Sequence, residues 1–282
     1  MSYADLDRQF SPSSLVADLP AILAGYASRS ALARATLPVR TDLPYGPGLL
    51  DFFPATGTGA PLLVYVHGGF WQEMSKDDFA FPAMDLVPAG AAYAVLGYGL
   101  APAHDLDEIV AAVRTGLSWL AANARNLGVD PDRIHLCGHS AGAHLVAMAL
   151  LDGRADLFAG VTLLSGIYDL EPIRRSYVND ALGLDSAATA RNSPIRILAG
   201  DTPPDRLPPL ILACGGRETD EFLRQQKDFA AAAVLRGGSV LELVVGHRHH
   251  FDIMDDLADA DTELGAAVLD QLRLRHLSRD AR

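Results

Sequence analysis

The chain reads as an α/β protein built on one mostly parallel sheet with helices over both faces. Three observations predict this. Short apolar, β-rich runs alternate with longer segments of helical period, those runs are apolar throughout, and no linker or low-complexity tract divides the 282 residues. Strands buried on both faces lack the in–out alternation of half-exposed ones, and parallel neighbours need helical crossovers.

The predicted strands run over residues 62–66, 93–96, 134–136, 161–164, 210–213 and 240–245. Between the second and third, Leu106, Ile109, Val110, Val113, Leu117 and Leu120 recur at three- and four-residue spacing, the stripe of an amphipathic helix. Asn126-Leu127-Gly128 closes that helix, and Asp130-Pro131 opens the turn into the next strand. Residues 222–235 and 253–274 are predicted as further helices. The stretch 171–209, rich in Arg, Asp and Pro, breaks the alternation. It reads as a lid-like insertion over the C-terminal edge of the sheet, or as a long solvated excursion. One domain over residues 1–282 is expected.

Apolar residues make up 49% of the chain, ample for a continuous core, and 23 basic against 35 acidic residues leave a net charge of −12. Such a surface has no electrostatic reason to approach phosphate backbones or anionic lipid, which speaks against nucleic-acid and membrane partners. Residues 1–40 lack the basic start and unbroken apolar run of a secretory signal, and no later segment is long and apolar enough to span a bilayer. The expectation is a cytoplasmic protein acting on a small molecule; the sequence permits a homodimer. Cys137 and Cys214 end two predicted strands that a third separates. At about 4.8 Å per strand spacing they stand roughly 10 Å apart, too far for a disulfide, so both are expected as buried thiols.

The chemistry centres on Gly138-His139-Ser140-Ala141-Gly142, with an apolar run before it and a helix-compatible run after it. In a nucleophile elbow a serine occupies a strained strand-to-helix turn, and small flanking residues let two backbones approach. Upstream lies His67-Gly68-Gly69-Phe70-Trp71, downstream His249-His250-Phe251. The order glycine turn, serine, acid, histidine is that of an α/β-hydrolase. Attack on a carbonyl moves charge onto its oxygen, and each preorganised amide there is worth about 3 kcal/mol. The expected donors are Gly69 and Phe70, with Gly68 as a third, and the Ala141 amide behind the serine. Trp71 reads as a pocket wall or a core aromatic.

A serine hydroxyl needs a base within hydrogen-bond reach and a group that orients the base. His139 and His144 flank the elbow, with backbones fixed by it, and read as packing or hydrogen-bonding residues. His247, His249 and His250 follow the last predicted strand, and His250 is favoured because it precedes Phe251 and the final helical run. Three clustered histidines also raise the question of a metal. No carboxylate falls at the matching spacing and the loop lacks the i, i+4 geometry of a helical site, so none is expected. Glu218 and Asp220, after the 210–213 strand, and Asp169, after the 161–164 strand, are all in chain order for the acid.

His67-Gly68-Gly69-Phe70-Trp71 resembles the His-Gly-Gly-x-Trp motif of the serine-dependent kynurenine formamidases (arylformamidases), within the α/β-hydrolases. The likeness extends along the chain. Arg8-Gln9-Phe10-Ser11-Pro12-Ser13 is similar to that family's N-terminal segment, and Gly97-Tyr98-Gly99-Leu100-Ala101-Pro102 with Leu106-Asp107-Glu108-Ile109-Val110 to two of its blocks. Ser165-Gly166-Ile167-Tyr168-Asp169-Leu170, Tyr177-Val178-Asn179 and Glu221-Phe222-Leu223-Arg224-Gln225 extend it further. The resemblance implies Ser140 as nucleophile, His250 as base and Glu218 as acid, at the fourth place of a Gly-x-x-Asp pattern where this chain is one methylene longer. It also departs at Phe10, Gly97 and Gly99. The activity implied is hydrolysis of an aryl formamide, N-formylkynurenine to kynurenine and formate, without a cofactor; the alternative is a carboxylesterase for small acyl esters. Phe70, Trp71 and Tyr168 are the aromatics expected around the aryl ring.

Overall fold

The computed structural model describes residues 2–200 and 206–274. Eight strands form one sheet: β1 (Arg40–Pro44), β2 (Leu49–Phe53), β3 (Ala60–Val66), β4 (Ala92–Leu96), β5 (Val129–His139), β6 (Gly160–Leu164), β7 (Leu210–Gly215) and β8 (Val240–Val245). Their order is β1-β2-β4-β3-β5-β6-β7-β8. β2 runs antiparallel to both neighbours, and every pair from β4 to β8 is parallel. This is the α/β-hydrolase sheet that the motif order implied.

The six predicted strands are all present. β1 and β2 were not predicted, for physical reasons. β1 sits at the sheet edge with mostly exposed, polar residues. β2 carries Asp51, which is fully buried and would break any apolar run. Its carboxylate is held by Lys76 Nζ at 2.8 Å, Arg34 Nε at 3.0 Å and the Asp42 amide at 3.0 Å. A buried charge is tolerated when it is paired and hydrogen-bonded on this scale. β5 also begins earlier than expected: Asp130-Pro131 lies inside it, at a bulge where the register against β3 shifts.

Eleven α-helices accompany the strands: α1 (Tyr3–Gln9), α2 (Leu19–Thr36), α3 (Ala83–Ala89), α4 (Leu106–Asn123), α5 (Ala141–Ala149), α6 (Glu171–Arg174), α7 (Asn179–Leu182), α8 (Ser186–Arg191), α9 (Pro194–Ala199), α10 (Asp220–Leu235) and α11 (Glu263–Gln271), counted among the described residues. Alternate side chains of β3 feed two cores. Leu62, Val64 and Val66 pack with α4, α5 and α10 residues such as Val113, Leu145 and Phe229. Leu63 and Tyr65 pack with Tyr26, Leu86, Leu264 and Val268 from α2, α3 and α11. The stripe on α4 faces inward as predicted, and Asp105 and Glu108 close a capping box at its start.

The predicted 253–274 helix is broken. Ile253–Asp256 forms one tight turn, and α11 starts only at Glu263, capped by Thr262. Asp256 is the reason the run cannot continue as one apolar-faced helix: it is fully buried and accepts from Arg248 at 3.0 and 2.5 Å. The 171–209 stretch forms α6 to α9, while its residues 201–205 lie outside the described residues. Cys137 and Cys214 are buried free thiols on β5 and β7, with β6 between them.

Candidate active site

The C-terminal ends of β3, β5, β6, β7 and β8 converge, and each delivers one element of the site. After β5, Ser140 has φ 54° and ψ −120°, and α5 starts at the next residue. A non-glycine residue in the left-handed region costs about 1–2 kcal/mol and persists only where neighbours enforce it. Here the Ser140 amide donates to Leu164 O at 2.8 Å, extending the β5–β6 ladder, while Ser140 O accepts from Ala143 and His144. The flanking glycines are obligatory. A Cβ on Gly138 would stand 2.5 Å from Gly142 O, and one on Gly142 only 2.0 Å from Val66 O.

The glycine turn after β3 passes directly against the serine. A Cβ on Gly68 would lie 2.9 Å from His139 O and 3.0 Å from Ser140 Cβ. Gly69 has φ +102°, and its carbonyl accepts the Gln72 and Glu73 amides at 2.9 Å each. Phe70 (φ 48°) and Trp71 (φ 61°) are both left-handed. Among the described residues the amides of Gly69 and Phe70 donate to no backbone acceptor. The Ala141 amide opens α5, where helix geometry leaves N–H groups without an intrahelical partner.

Glu218 lies in the turn after β7 and His250 in the loop after β8. His250 Nδ1 stands 2.6 Å from Glu218 Oε2. The other oxygen, Oε1, accepts from Ser165 Oγ at 2.5 Å and from the Gly215 amide at 2.7 Å. Burial alone would push the Glu218 carboxyl up; the His250 charge and these hydrogen bonds outweigh it and hold the carboxyl below its usual range. Asp220 is exposed on the first turn of α10, and Asp169 Oδ1 accepts from the Glu171 amide at 3.1 Å. Neither occupies the place beside His250 Nδ1. Ser165, in the turn after β6, was not singled out from the sequence; its signal was a serine ending an apolar strand at the sheet's C-terminal edge.

His139 and His144 are satisfied core histidines, the reading given for both. His139 Nε2 donates to His250 O at 2.7 Å, and burial first, then the nearby His250 charge, takes its pKa down to about 3. His144 and His67 are lowered by burial to about 4. His249 Nδ1 accepts from the Phe251 amide, and His247 is exposed. Among the described residues no three His, Cys, Asp or Glu side chains are grouped to hold a metal ion, and no helix is long and apolar enough to cross a membrane.

A cavity of about 240 Å³ opens beside Ser140 and His250. Phe70 lines it, with Phe79 and Phe251. Trp71 and Tyr168 do not, and the expectation that they wall the pocket is corrected. Trp71 is fully buried, with Nε1 donating to His144 Nδ1, and Tyr168 is buried against Phe229 with ring centroids 4.1 Å apart. Gln72, Glu73 and Met74 continue the wall beside the glycine turn, and further walls come from far away in sequence: Pro12, Ser13, Leu19, Leu23 and Tyr26 near the N-terminus, and Tyr177 and Val178 of the insertion. Their signal was present in the Arg8–Ser13 and Tyr177–Asn179 resemblances, but not their location.

Comparison with known proteins follows the same lines. The BD-FAE family model matches residues 50–168. The chain is 33% identical to a kynurenine formamidase of Danio rerio over 95% of this chain and 96% of that one. It is 32% identical to one of Salmo salar, over 95% and 96%. Among solved structures it resembles a protein of Silicibacter sp. TM1040, provisionally described as a thioesterase. That protein is 26% identical with a TM-score of 0.81, and the match covers 94% of this chain and 98% of that one.

Proposed function

The chain belongs to the kynurenine formamidase family, and from that premise we propose that it hydrolyses an aryl formamide, N-formylkynurenine to kynurenine and formate, with Ser140, His250 and Glu218 as its triad. Ser140 Oγ adds to the formyl carbon as His250 Nε2 takes its proton. Glu218 fixes the ring through Nδ1–H and stabilises the imidazolium that forms. Charge arriving on the carbonyl oxygen is received by the amides of Gly69, Phe70 and Ala141, with Gly68 supplying the close backbone approach. His250 then returns the proton to the departing arylamine nitrogen, leaving a formyl-serine. Water, deprotonated by His250, attacks this ester and releases formate and Ser140. Every step is an addition, elimination or proton transfer for which the chain supplies the groups.

The observation that carries this reading is the 2.6 Å contact between His250 Nδ1 and Glu218 Oε2, at the same sheet edge as a left-handed serine. The cavity accords with the substrate, because apolar walls suit an aryl leaving group. Formyl is the smallest acyl group, so the acyl side can stay closed. The test is formate release from N-formylkynurenine, compared as kcat/KM with p-nitrophenyl butyrate and octanoate. The expected order is formamide, then butyrate, then octanoate, since each misfit methylene costs about 1–3 kcal/mol. Butyrate turnover without formate release would replace the formamidase reading by the esterase one.

A further inference from the structure

The glycine turn holds its shape against local strain. Phe70 and Trp71 are consecutive non-glycine residues with positive φ, each disfavoured by about 1–2 kcal/mol. Something beyond the turn must fix them, and Trp71 is the only one of the pair buried completely. Its carbonyl accepts the Ala101 amide at 2.9 Å, and its indole Nε1–H donates to His144 Nδ1 at 3.2 Å. The rings meet edge to face, 4.9 Å apart at 87°.

His144 is equally committed on its other side. Its Nε2–H donates to Asn192 O at 2.8 Å, and Asn192 Nδ2 donates to Asp107 Oδ1 at 2.8 Å in the first turn of α4. With a proton on Nε2, Nδ1 keeps a lone pair for the indole. Burial lowers the ring to about 4, so it stays neutral near pH 7 and this tautomer persists. His144 also belongs to the helical turn that carries the serine, since its amide donates to Ser140 O at 3.2 Å. One turn of α5 therefore holds both Ser140 and, through a side chain, the far end of the strained segment.

We propose that His144 is a positioning residue: by holding Trp71 through its indole N–H, it sets the Gly69 and Phe70 amides relative to Ser140. This rests on the proposed role of Ser140 but not on the identity of the acyl group. Its consequence is specific to the transition state. Loosening the turn weakens stabilisation of the developing oxyanion and leaves ground-state binding almost unchanged, because most of the cavity wall lies on segments other than this turn.

The experiment uses Trp71→Phe, His144→Leu and His144→Asn with p-nitrophenyl acetate, rates being expressed per active site titrated by a fluorophosphonate. Outright loss of an oxyanion donor costs about 10²–10³ in kcat, so misalignment is expected to cost about ten-fold in Trp71→Phe and more in His144→Leu. KM should stay within about two-fold. The inhibition constant of an aryl trifluoromethyl ketone, which forms an oxyanion on Ser140, should rise by the same factor as kcat falls. His144→Asn, whose amide oxygen can take the place of Nδ1, should recover part of the loss. If His144→Leu does not fold, Trp71→Phe keeps the packing ring and carries the test. Rates per active site and ketone affinity both within two-fold of the parent would overturn the proposal, whatever happens to the melting temperature. Absence of formamide turnover with ester turnover intact would strike the substrate reading and leave this one standing.

Discussion

Two parts of the site are built by different means. The proposed reacting groups stand on turns that close β3, β5, β7 and β8, each fixed within a few residues by glycines and backbone hydrogen bonds. Much of the cavity beside them is walled instead by Pro12, Ser13, Leu19, Leu23 and Tyr26 and by Tyr177 and Val178, on segments remote in sequence from those turns and brought to them by tertiary contacts. Gln9 illustrates the second means: its carbonyl accepts Thr219 Oγ1 at 2.6 Å, and its side-chain Oε1 accepts the Glu221 amide at 3.0 Å, capping α10 from outside. Tyr177 likewise binds Phe10 O through its hydroxyl and Asp7 through its amide. Changes on the turns should therefore alter the rate of chemistry, and changes on the walls the choice of substrate.

The sharpest way to break this division is Ser140→Ala. The expected loss in kcat is roughly 10³ or more, with the fold and melting temperature nearly unchanged, since a triad acts as a unit. Retention of a tenth of the activity would remove Ser140 from the mechanism. Glu218→Gln is next: it leaves the ring of His250 without an anionic partner and should lower kcat strongly. Asp220→Asn and Asp169→Asn, which change carboxylates that make no hydrogen bond to His250 Nδ1, should cost much less. Equal losses in all three would mean that the 2.6 Å contact does not carry the acid's role.

Acid should also destabilise the fold as a whole. His67, His135, His139 and His144 are all buried, with pKa values lowered to about 4, 4, 3 and 4. An unfolded histidine titrates near pH 6.5, so between there and about pH 4 the unfolded chain binds protons that the folded chain refuses. The unfolding free energy must then fall with falling pH, by up to about 1.4 kcal/mol per pH unit for each such group. Glu218 adds a loss at lower pH, because its depressed carboxyl stabilises the fold above the unfolded value and stops doing so as it protonates. Melting curves from pH 7 to 4 should show a steep decline that is shallower in His144→Leu. A melting temperature flat across that range would mean these histidines are not held neutral.

The same division explains what the sequence disclosed. The elbow, the glycine turn and the His250 loop are legible because turn chemistry is local: Gly142 must lack a side chain 2.0 Å from Val66 O wherever this turn occurs. Glu218 could be separated from Asp220 only through the resemblance, since the spacing to β7 fits both. β1 and β2 escaped notice because one is an exposed edge and the other hides a paired Asp51. Trp71 and Tyr168 were placed near the serine by sequence position, yet a residue's neighbours on a turn do not decide which way its ring points. The walls were least legible of all, because nothing local to Leu19 or Leu23 encodes the cavity they face.

The smallest effect expected is therefore the most discriminating. Leu23, on α2, is half-buried and lines the cavity from a helix remote in sequence from the turns that carry the proposed reacting groups. Leu23→Trp would fill space in a cavity of about 240 Å³ and should crowd an aryl leaving group far more than a small ester. A misfit of about 1–3 kcal/mol corresponds to a rise in KM for N-formylkynurenine of about ten-fold to 100-fold. For p-nitrophenyl acetate, KM and kcat should both stay within about two-fold, because the turns are undisturbed. A fall in kcat for both substrates would show that the walls and the turns are mechanically coupled, and the division drawn between them would fail. An unchanged KM for N-formylkynurenine would instead place its aryl ring outside this cavity.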